Sequence, residues 1–120
     1  MKKTLVIGAS ENPDRYSNKA IKALVAHNYE VVAIGLRPGQ VNGISFNSEK
    51  KDFENVDTVT LYVGQQHQPE YYQYILNLKP QRVIFNPGTE NPEFIDLLKA
   101  AGIFPEIACT LLLLSIGQYQ

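Results

Sequence analysis

Short apolar runs that stop at glycine, asparagine or proline constrain the fold of this chain more than any other feature. Thr4–Ile7, Val31–Ile34 and Val59–Val63 are rich in β-branched residues, and Arg82–Phe85 is nearly as apolar. Runs of this length between turn residues read as strands buried on both faces, the mark of a parallel sheet covered by helices. Parallel neighbours require crossovers, and the intervening sequence supplies helical patterns. Ser17–His27 sets Ala20, Ile21, Leu24 and Val25 on one stripe, with Ser17 the expected N-cap and Asn28 the stop. Glu70–Leu78 repeats the stripe with Tyr71, Tyr74, Ile75 and Leu78, leaving Tyr72 on the surface, and ends before Pro80. Asn91-Pro92-Glu93 reads as N-cap, N1 proline and first-turn acid, and Phe94, Ile95, Leu97, Leu98 and Ala101 carry that helix to Gly102.

Strand and helix therefore alternate, and the expected class is α/β: a doubly wound, mainly parallel sheet of five to six strands with helices on both faces. Ile103–Ile107 reads as a last short strand and Cys109–Ile116 as a closing helix. Val41–Phe46 reads as a short edge strand, which leaves Ser48–Glu54 room for a helical turn or two at most. With no repeat, linker or low-complexity tract, residues 1–120 are expected to be a single domain.

Bulk properties remove several function classes. A chain of 120 residues buries roughly two-thirds of the surface its unfolded form exposes, enough for a core without staples. Eleven Lys+Arg against twelve Asp+Glu leave a formal charge of −1, without the basic field that nucleic acid or an anionic membrane requires. The apolar stretch 108–116 is far short of the ~20 residues of a membrane span, and the apolar run after Lys2-Lys3 breaks at Ser10-Glu11-Asn12, too early for a secretory signal. Cys109, the single cysteine, forms no internal disulfide and suits a reducing compartment, so the expected location is cytoplasmic. It reads as a small core residue, with thiol exchange as the alternative. His27 and His67 stand alone, without a second ligand at metal spacing or a neighbouring nucleophile, so no metal site and no catalytic residue is assigned.

In a doubly wound sheet, ligands bind beyond the carboxyl ends of the strands. Here those ends are Gly8-Ala9-Ser10, Gly35-Leu36-Arg37-Pro38-Gly39, Tyr62-Val63-Gly64 and Asn86-Pro87-Gly88-Thr89-Glu90. Four glycine-bearing loops on one expected edge favour a site over ordinary loop composition. Arg15, Tyr16 and Ser17 stand where the first loop becomes a helix, offering a guanidinium, hydroxyls and free N–H groups to a pyrophosphate. The competing reading of Arg15 is a solvated partner of Asp14. The loop keeps only Gly8 of a dinucleotide fingerprint, which weakens a nicotinamide reading. A cofactor with a free ribose hydroxyl meets an acid after the second strand, whereas this chain has Arg37, suited to an additional ribose phosphate. Coenzyme A and NADP both carry one. Glu90 either accepts a hydrogen bond from the ligand or steadies its own loop beside Asn91, the second being preferred because a carboxylate repels phosphates.

Gly8-Ala9-Ser10, Arg15-Tyr16-Ser17, Leu61-Tyr62-Val63, Ala108-Cys109-Thr110-Leu111 and above all Phe85-Asn86-Pro87-Gly88-Thr89-Glu90-Asn91-Pro92 resemble the small single-domain CoA-binding proteins of bacteria. Those proteins are similar to the CoA-binding domain of the succinyl-CoA synthetase α-subunit. The resemblance spans nearly the whole chain and implies a Rossmann-like fold holding coenzyme A along the strand ends. It assigns the pyrophosphate to Gly8, Ala9, Ser10, Arg15, Tyr16 and Ser17, and the 3′-phosphate or adenosine end to Arg37 and Pro38. Tyr62, Val63, Gly64, Asn86, Pro87, Gly88, Thr89 and Glu90 would flank the adenosine and pantetheine arm. One departure stands out: members often carry Asn-Pro after the second strand, where this chain has Arg37-Pro38. The synthetase's phosphohistidine domain has no counterpart here. The implied function is a non-catalytic module binding coenzyme A or acyl-CoA. An NADP-binding oxidoreductase-like domain and a ligand-free interaction domain remain as alternatives, and pairing with a second copy or a partner protein stays open.

Overall fold

The computed structural model describes residues 2–120. Strands β1 (Lys3–Ala9), β2 (Glu30–Gly35), β5 (Val56–Leu61), β6 (Arg82–Phe85) and β7 (Phe104–Ile107) form one parallel sheet in the order β2-β1-β5-β6-β7. Their β-branched residues are buried on both faces, Val6, Ile7, Val59, Val83 and Ile84 completely so, as a doubly covered sheet demands. Helices α1 (Tyr16–Ala26) and α4 (Thr110–Ser115) cover one face through Ile21, Leu24 and Leu114. Helices α2 (Tyr72–Leu78) and α3 (Pro92–Ala100) cover the other through Ile75, Phe94 and Leu98. The chain is an α/β, Rossmann-like, doubly wound domain. No helix among the described residues is long and apolar enough to cross a membrane.

Helix punctuation follows local chemistry. Asn91 caps α3 through a 3.3 Å bond from the Phe94 N–H to its side chain, with Pro92 in the first turn. Asn28 ends α1 in the left-handed conformation at φ 65°, which its short polar side chain tolerates. The N-cap of α1 is Arg15 rather than Ser17. Asn12 builds a turn ahead of the helix, its side chain accepting from the Asp14 N–H and its carbonyl from the Arg15 N–H. The helix therefore starts two residues early, and Ser17 is carried to a buried position at 3 % exposure.

Two further segments depart from the sequence reading, and a third, 48–54, falls at the lower limit of what it allowed. The stretch 41–46 is no edge strand of the main sheet: β3 (Gly39–Val41) and β4 (Ile44–Phe46) form a separate antiparallel hairpin folded beside β2. Residues 48–54 contain no helix. The Glu70–Leu78 pattern divides into a 3-10 turn at Pro69–Tyr71 and a shorter α2 from Tyr72, because Pro69 starts the segment one turn ahead of the α-helical register. Tyr71 is buried as expected from its spacing, but Tyr72 is not a surface residue: its ring stacks on Phe94 at 4.4 Å between centroids.

The edge strand β7 carries its own protection. Phe104 and Ala108 direct their N–H groups inward to Gln81 and Phe85, which puts Pro105 at an outward position with no donor to offer.

Candidate functional site

Order β2-β1-β5 means that the chain leaves β1 in one direction and returns to the sheet on its other side, so the winding reverses between β1 and β5. Open α/β sheets bind ligands at such a reversal, outside the strand carboxyl ends. Here the two ends touch. Gly8 has φ +100°, and a Cβ on it would lie 2.8 Å from the Tyr62 carbonyl oxygen, so only glycine permits this approach. The Tyr62 N–H bonds the Ile7 carbonyl at 2.9 Å, and β1 bulges against β2 between Ile7 and Ala9.

The loop that follows β1 is internally braced. Ser10 Oγ accepts from the Asn12 N–H at 3.1 Å, and Asn18 Nδ2 donates to the Ser10 carbonyl at 3.0 Å. Beyond it, α1 begins with no side-chain cap and no acid in its first turn. Among the described residues the Tyr16 and Ser17 amides have no acceptor, so the positive end of this helix is open. Arg15 and Tyr16 are exposed, Tyr16 at 68 %, with Lys19 Nζ 5.4 Å from the centre of the Tyr16 ring. The ion pairs among the described residues are Lys3–Glu30, Lys50–Glu70 and Arg82–Glu106. Arg15 makes no ion pair with Asp14, and Arg37 is likewise outside that set.

After β2 the chain presents Leu36, Arg37 and Pro38, all exposed, Leu36 at 83 %. It is held close to the first loop by two tight glycines. A Cβ on Gly35 would meet the Ala9 carbonyl oxygen at 2.5 Å, and one on Gly39 would meet Glu11 Cγ at 2.7 Å. Glu11 itself accepts from the Gln40 N–H at 2.9 Å, fastening the hairpin to the first loop.

The ends of β5 and β6 are joined from beneath. Tyr62 and Val63 lie just past β5, half-buried, and Gly64 follows them. The Tyr62 hydroxyl is buried without a bond of good geometry, although Thr110 and Thr60 stand near it. Burial pushes its pKa far above the usual phenol range, so it stays protonated. Asn86, 1 % exposed, turns its side chain into the protein: Nδ2 donates to Thr60 Oγ1 at 2.6 Å and to the Leu61 carbonyl at 2.8 Å, and Oδ1 accepts from the Thr110 N–H at 2.9 Å. Thr89 closes the loop onto the Asn86 carbonyl through both its N–H and its hydroxyl. Glu90 Oε1 accepts from the Gly88 N–H at 2.9 Å, so this carboxylate steadies its own loop. Pro87, Gly88 and Glu90 are exposed and Thr89 is buried. Cys109 is half-buried at the N-cap of α4 rather than sealed in the core.

Three contributors escaped the sequence reading. Gln68 is completely buried between the loops after β5 and β6, Glu11 joins the first loop to the hairpin, and Leu36 is an exposed apolar residue beside Arg37. For Gln68 the available signal was a Pro one residue later, which announces a helical turn and so a fixed place for the side chain before it. For Glu11 it was the glycine at 39, whose need for close approach implies a partner that the sequence does not name.

All four loops thus form one continuous edge: β2 and β1 meet at Gly35 and Ala9, β1 and β5 at Gly8 and Tyr62, and β5 and β6 through Gln68. The edge offers an open helix N-terminus, two arginines and exposed apolar surface, a combination suited to a phosphorylated ligand with apolar parts. Two concavities lie elsewhere, one between the outer edge of β2 and the hairpin and one around His27 and Tyr119. Neither contains the helix N-terminus or the arginines, and the chemistry of the donors outweighs the depth of the hollow. No group of three or more His, Cys, Asp or Glu side chains arranged to hold a metal ion occurs among the described residues.

Comparison with known proteins follows the same line. The pattern of a family described as "CoA binding domain" matches residues 2–115. A crystal structure of an uncharacterized protein is 48 % identical and superposes with a TM-score of 0.95 over 98 % of this chain and 98 % of its own. A hypothetical protein from Pyrococcus horikoshii OT3 is 26 % identical with a TM-score of 0.84 over 92 % of this chain and 80 % of its own. The Thermus thermophilus protein cell-free ID.343, at 21 % identity and a TM-score of 0.85 over 98 % of this chain and 90 % of its own, shares the fold. No curated protein matches.

Proposed function

Because this chain belongs to the CoA binding domain family, we propose that it is a non-catalytic module that holds coenzyme A or an acyl-CoA across the edge between β1 and β5. The observation that carries this reading is the uncapped N-terminus of α1, with an exposed Arg15 beside it and Arg37 on the adjoining loop, neither spent on an ion pair. An anionic pyrophosphate gains from the open amides and the helix dipole, and a further ribose phosphate from the Arg37 guanidinium. Leu36 gives the adenine an apolar contact, replacing what the common Asn-Pro of the family would supply there. The loop Tyr62-Val63-Gly64 after β5 neighbours the loop with Pro87 and Gly88 after β6, and the two flank the pantetheine arm, Tyr62 through its backbone. Ser17 and Asn86, whose side chains are buried, contribute through the backbone they shape. We read the module as cytoplasmic and bacterial, acting as a carrier or sensor for an acyl-CoA process.

Calorimetry with coenzyme A, dephospho-CoA, NADP and NAD tests the proposal. Coenzyme A should bind tightest, and loss of the 3′-phosphate should cost about 1.5–3 kcal/mol, the worth of a charge-assisted bond. Arg37→Ala should erase that difference while leaving dephospho-CoA affinity unchanged. NADP binding tighter than coenzyme A would replace this reading with the oxidoreductase-like one, and no binding of any of the four would leave an interaction domain.

A further inference from the structure

Gln68 sits where two loops of the proposed site converge, and nothing in its sequence context marks it as a ligand residue. Its side chain has no solvent exposure. Nε2 donates to the Val63 carbonyl at 3.1 Å and to the Thr89 carbonyl at 2.7 Å, one from each loop, while Oε1 accepts from Asn91 Nδ2 at 3.0 Å. The orientation of this amide is imposed from outside. The Phe94 N–H fixes Asn91 Oδ1 as an acceptor, which turns Asn91 Nδ2 toward Gln68 and toward the Tyr72 hydroxyl at 2.8 Å. Gln68 must then point its own donor at the two carbonyls, since the reversed amide would set oxygen against oxygen and nitrogen against nitrogen. The Tyr72 hydroxyl donates in turn to Glu93 Oε1 at 3.0 Å. A chain of donors, buried at Asn91 and Gln68, therefore runs from the first turn of α3 to both loops, and the only group that joins one loop to the other in it is a single primary amide.

We propose that Gln68 is the positioning residue that sets the width of the channel for the pantetheine arm, by fixing the loop after β5 relative to the loop after β6. This rests on the coenzyme A reading above. Two carbonyls held by one nitrogen cannot drift apart independently, so the loops are presented to the ligand already ordered, and less affinity is lost to ordering them on binding. The nucleotide end of the ligand, which lies against the first loop and Arg37, is outside the reach of this staple. Gln68 consequently governs the contribution of the arm and leaves that of the nucleotide alone.

The test compares coenzyme A with its nucleotide half, 3′-phospho-ADP, on wild type, Gln68→Met and Asn91→Asp. Gln68→Met keeps the shape and removes every hydrogen bond. Asn91→Asp keeps the helix cap and removes the donor that orients Gln68 together with its bond to the Tyr72 hydroxyl; read against Tyr72→Phe, which loses that second bond but leaves Gln68 oriented, it carries the test if Gln68→Met does not fold. The expected result is an affinity for coenzyme A lowered about tenfold or more with 3′-phospho-ADP affinity held within about twofold, the arm's share having been lost. Equal losses for both ligands make Gln68 a residue of general stability and overturn the proposal. So does an unchanged preference for coenzyme A over 3′-phospho-ADP in both variants. If wild type binds neither ligand, the coenzyme A reading itself fails and takes this one with it.

Discussion

Glu11 accepts a hydrogen bond from the Gln40 N–H at 2.9 Å, and through it the loop after β1 holds the β3–β4 hairpin against the site edge. The backbone at Gly39 is so close that a Cβ there would fall 2.7 Å from Glu11 Cγ and 2.8 Å from the Phe46 ring. The carboxylate is thus occupied by the hairpin rather than by either arginine, which keeps negative charge tied down at the edge proposed to receive an anion.

Removing that tie should loosen the hairpin specifically. Glu11→Ala is expected to cost about 0.5–1.5 kcal/mol in denaturant unfolding, the net worth of a solvent-accessible hydrogen bond. Glu11→Gln, which keeps an acceptor, should retain most of the stability. The local readout is hydrogen exchange at the Gln40 amide, accelerated in Glu11→Ala. An amide that exchanges at the wild-type rate would mean that the hairpin is held by Phe46 and Val41 packing alone.

Two glycines with positive φ separate conformational strain from collision. Gly8 (φ +100°) and Gly43 (φ +84°) both disfavour a side chain, but a Cβ at Gly43 meets nothing within 4 Å whereas one at Gly8 runs into the Tyr62 backbone. Gly43→Ala should therefore lose about 1–2 kcal/mol. Gly8→Ala should lose clearly more and displace the loop after β5, abolishing ligand binding. Equal unfolding midpoints for the two variants would refute the close approach of the strand ends.

The boundary between what the sequence discloses and what it conceals follows the range of the interactions involved. Strands and the Asn91-Pro92 helix start are encoded by neighbours in the chain, through burial on both faces and through capping, and those were legible. Four loops at one edge followed from parallel order alone. Three details were set by partners far away in sequence: Glu11 with Gln40, Gln68 with Thr89, and the hairpin with β2. The start of α1 shows a subtler limit. Ser17 has the chemistry of a cap, but the turn built by Asn12 begins the helix earlier, and a residue one step inside the helix faces the core instead of its end. Asn86 was identified by its motif, and only the structure shows that its side chain serves the scaffold.

Asn86 ties β5, β6 and the start of α4 together through Leu61, Thr60 and Thr110. Asn86→Ala takes the side-chain partner from a buried N–H and a carbonyl and leaves the Thr60 hydroxyl only its bond to Thr110 Oγ1, for which a loss of about 2–4 kcal/mol is expected. Asn86→Asp keeps the acceptor for the Thr110 N–H but turns an oxygen toward the Leu61 carbonyl, so it too should destabilise, less severely at acid pH where the carboxyl can donate. A denaturant series for both variants at acid and neutral pH checks this. A cost below about 0.5 kcal/mol for Asn86→Ala, typical of a surface change, would show that water replaces the network.

The alkaline limit of this fold should be set by tyrosines. Burial is the first cause raising the phenol pKa of Tyr62, Tyr71, Tyr72, Tyr74 and Tyr119, and Tyr74, with Asp52 adding to it, is pushed up to about 12. An unfolded phenol titrates near 10 (about 10 in model peptides). Above that value the native chain holds protons that the unfolded chain has released, so stability is complete below pH 10 and falls as the pH climbs toward the folded pKa. Tyr74 offers a direct check, because its hydroxyl donates to the Lys51 carbonyl and so fastens the helix-free crossover after β4. Tyr74→Phe should be less stable than wild type at neutral pH, by the net worth of one hydrogen bond. Above about pH 10 the gap should close, since only wild type carries the titrating phenol. Unfolding midpoints for the two proteins across this range, followed alongside tyrosinate absorbance, decide the matter: parallel curves would show that Tyr74 ionises freely in the folded chain and that its bond to Lys51 contributes nothing to holding the crossover.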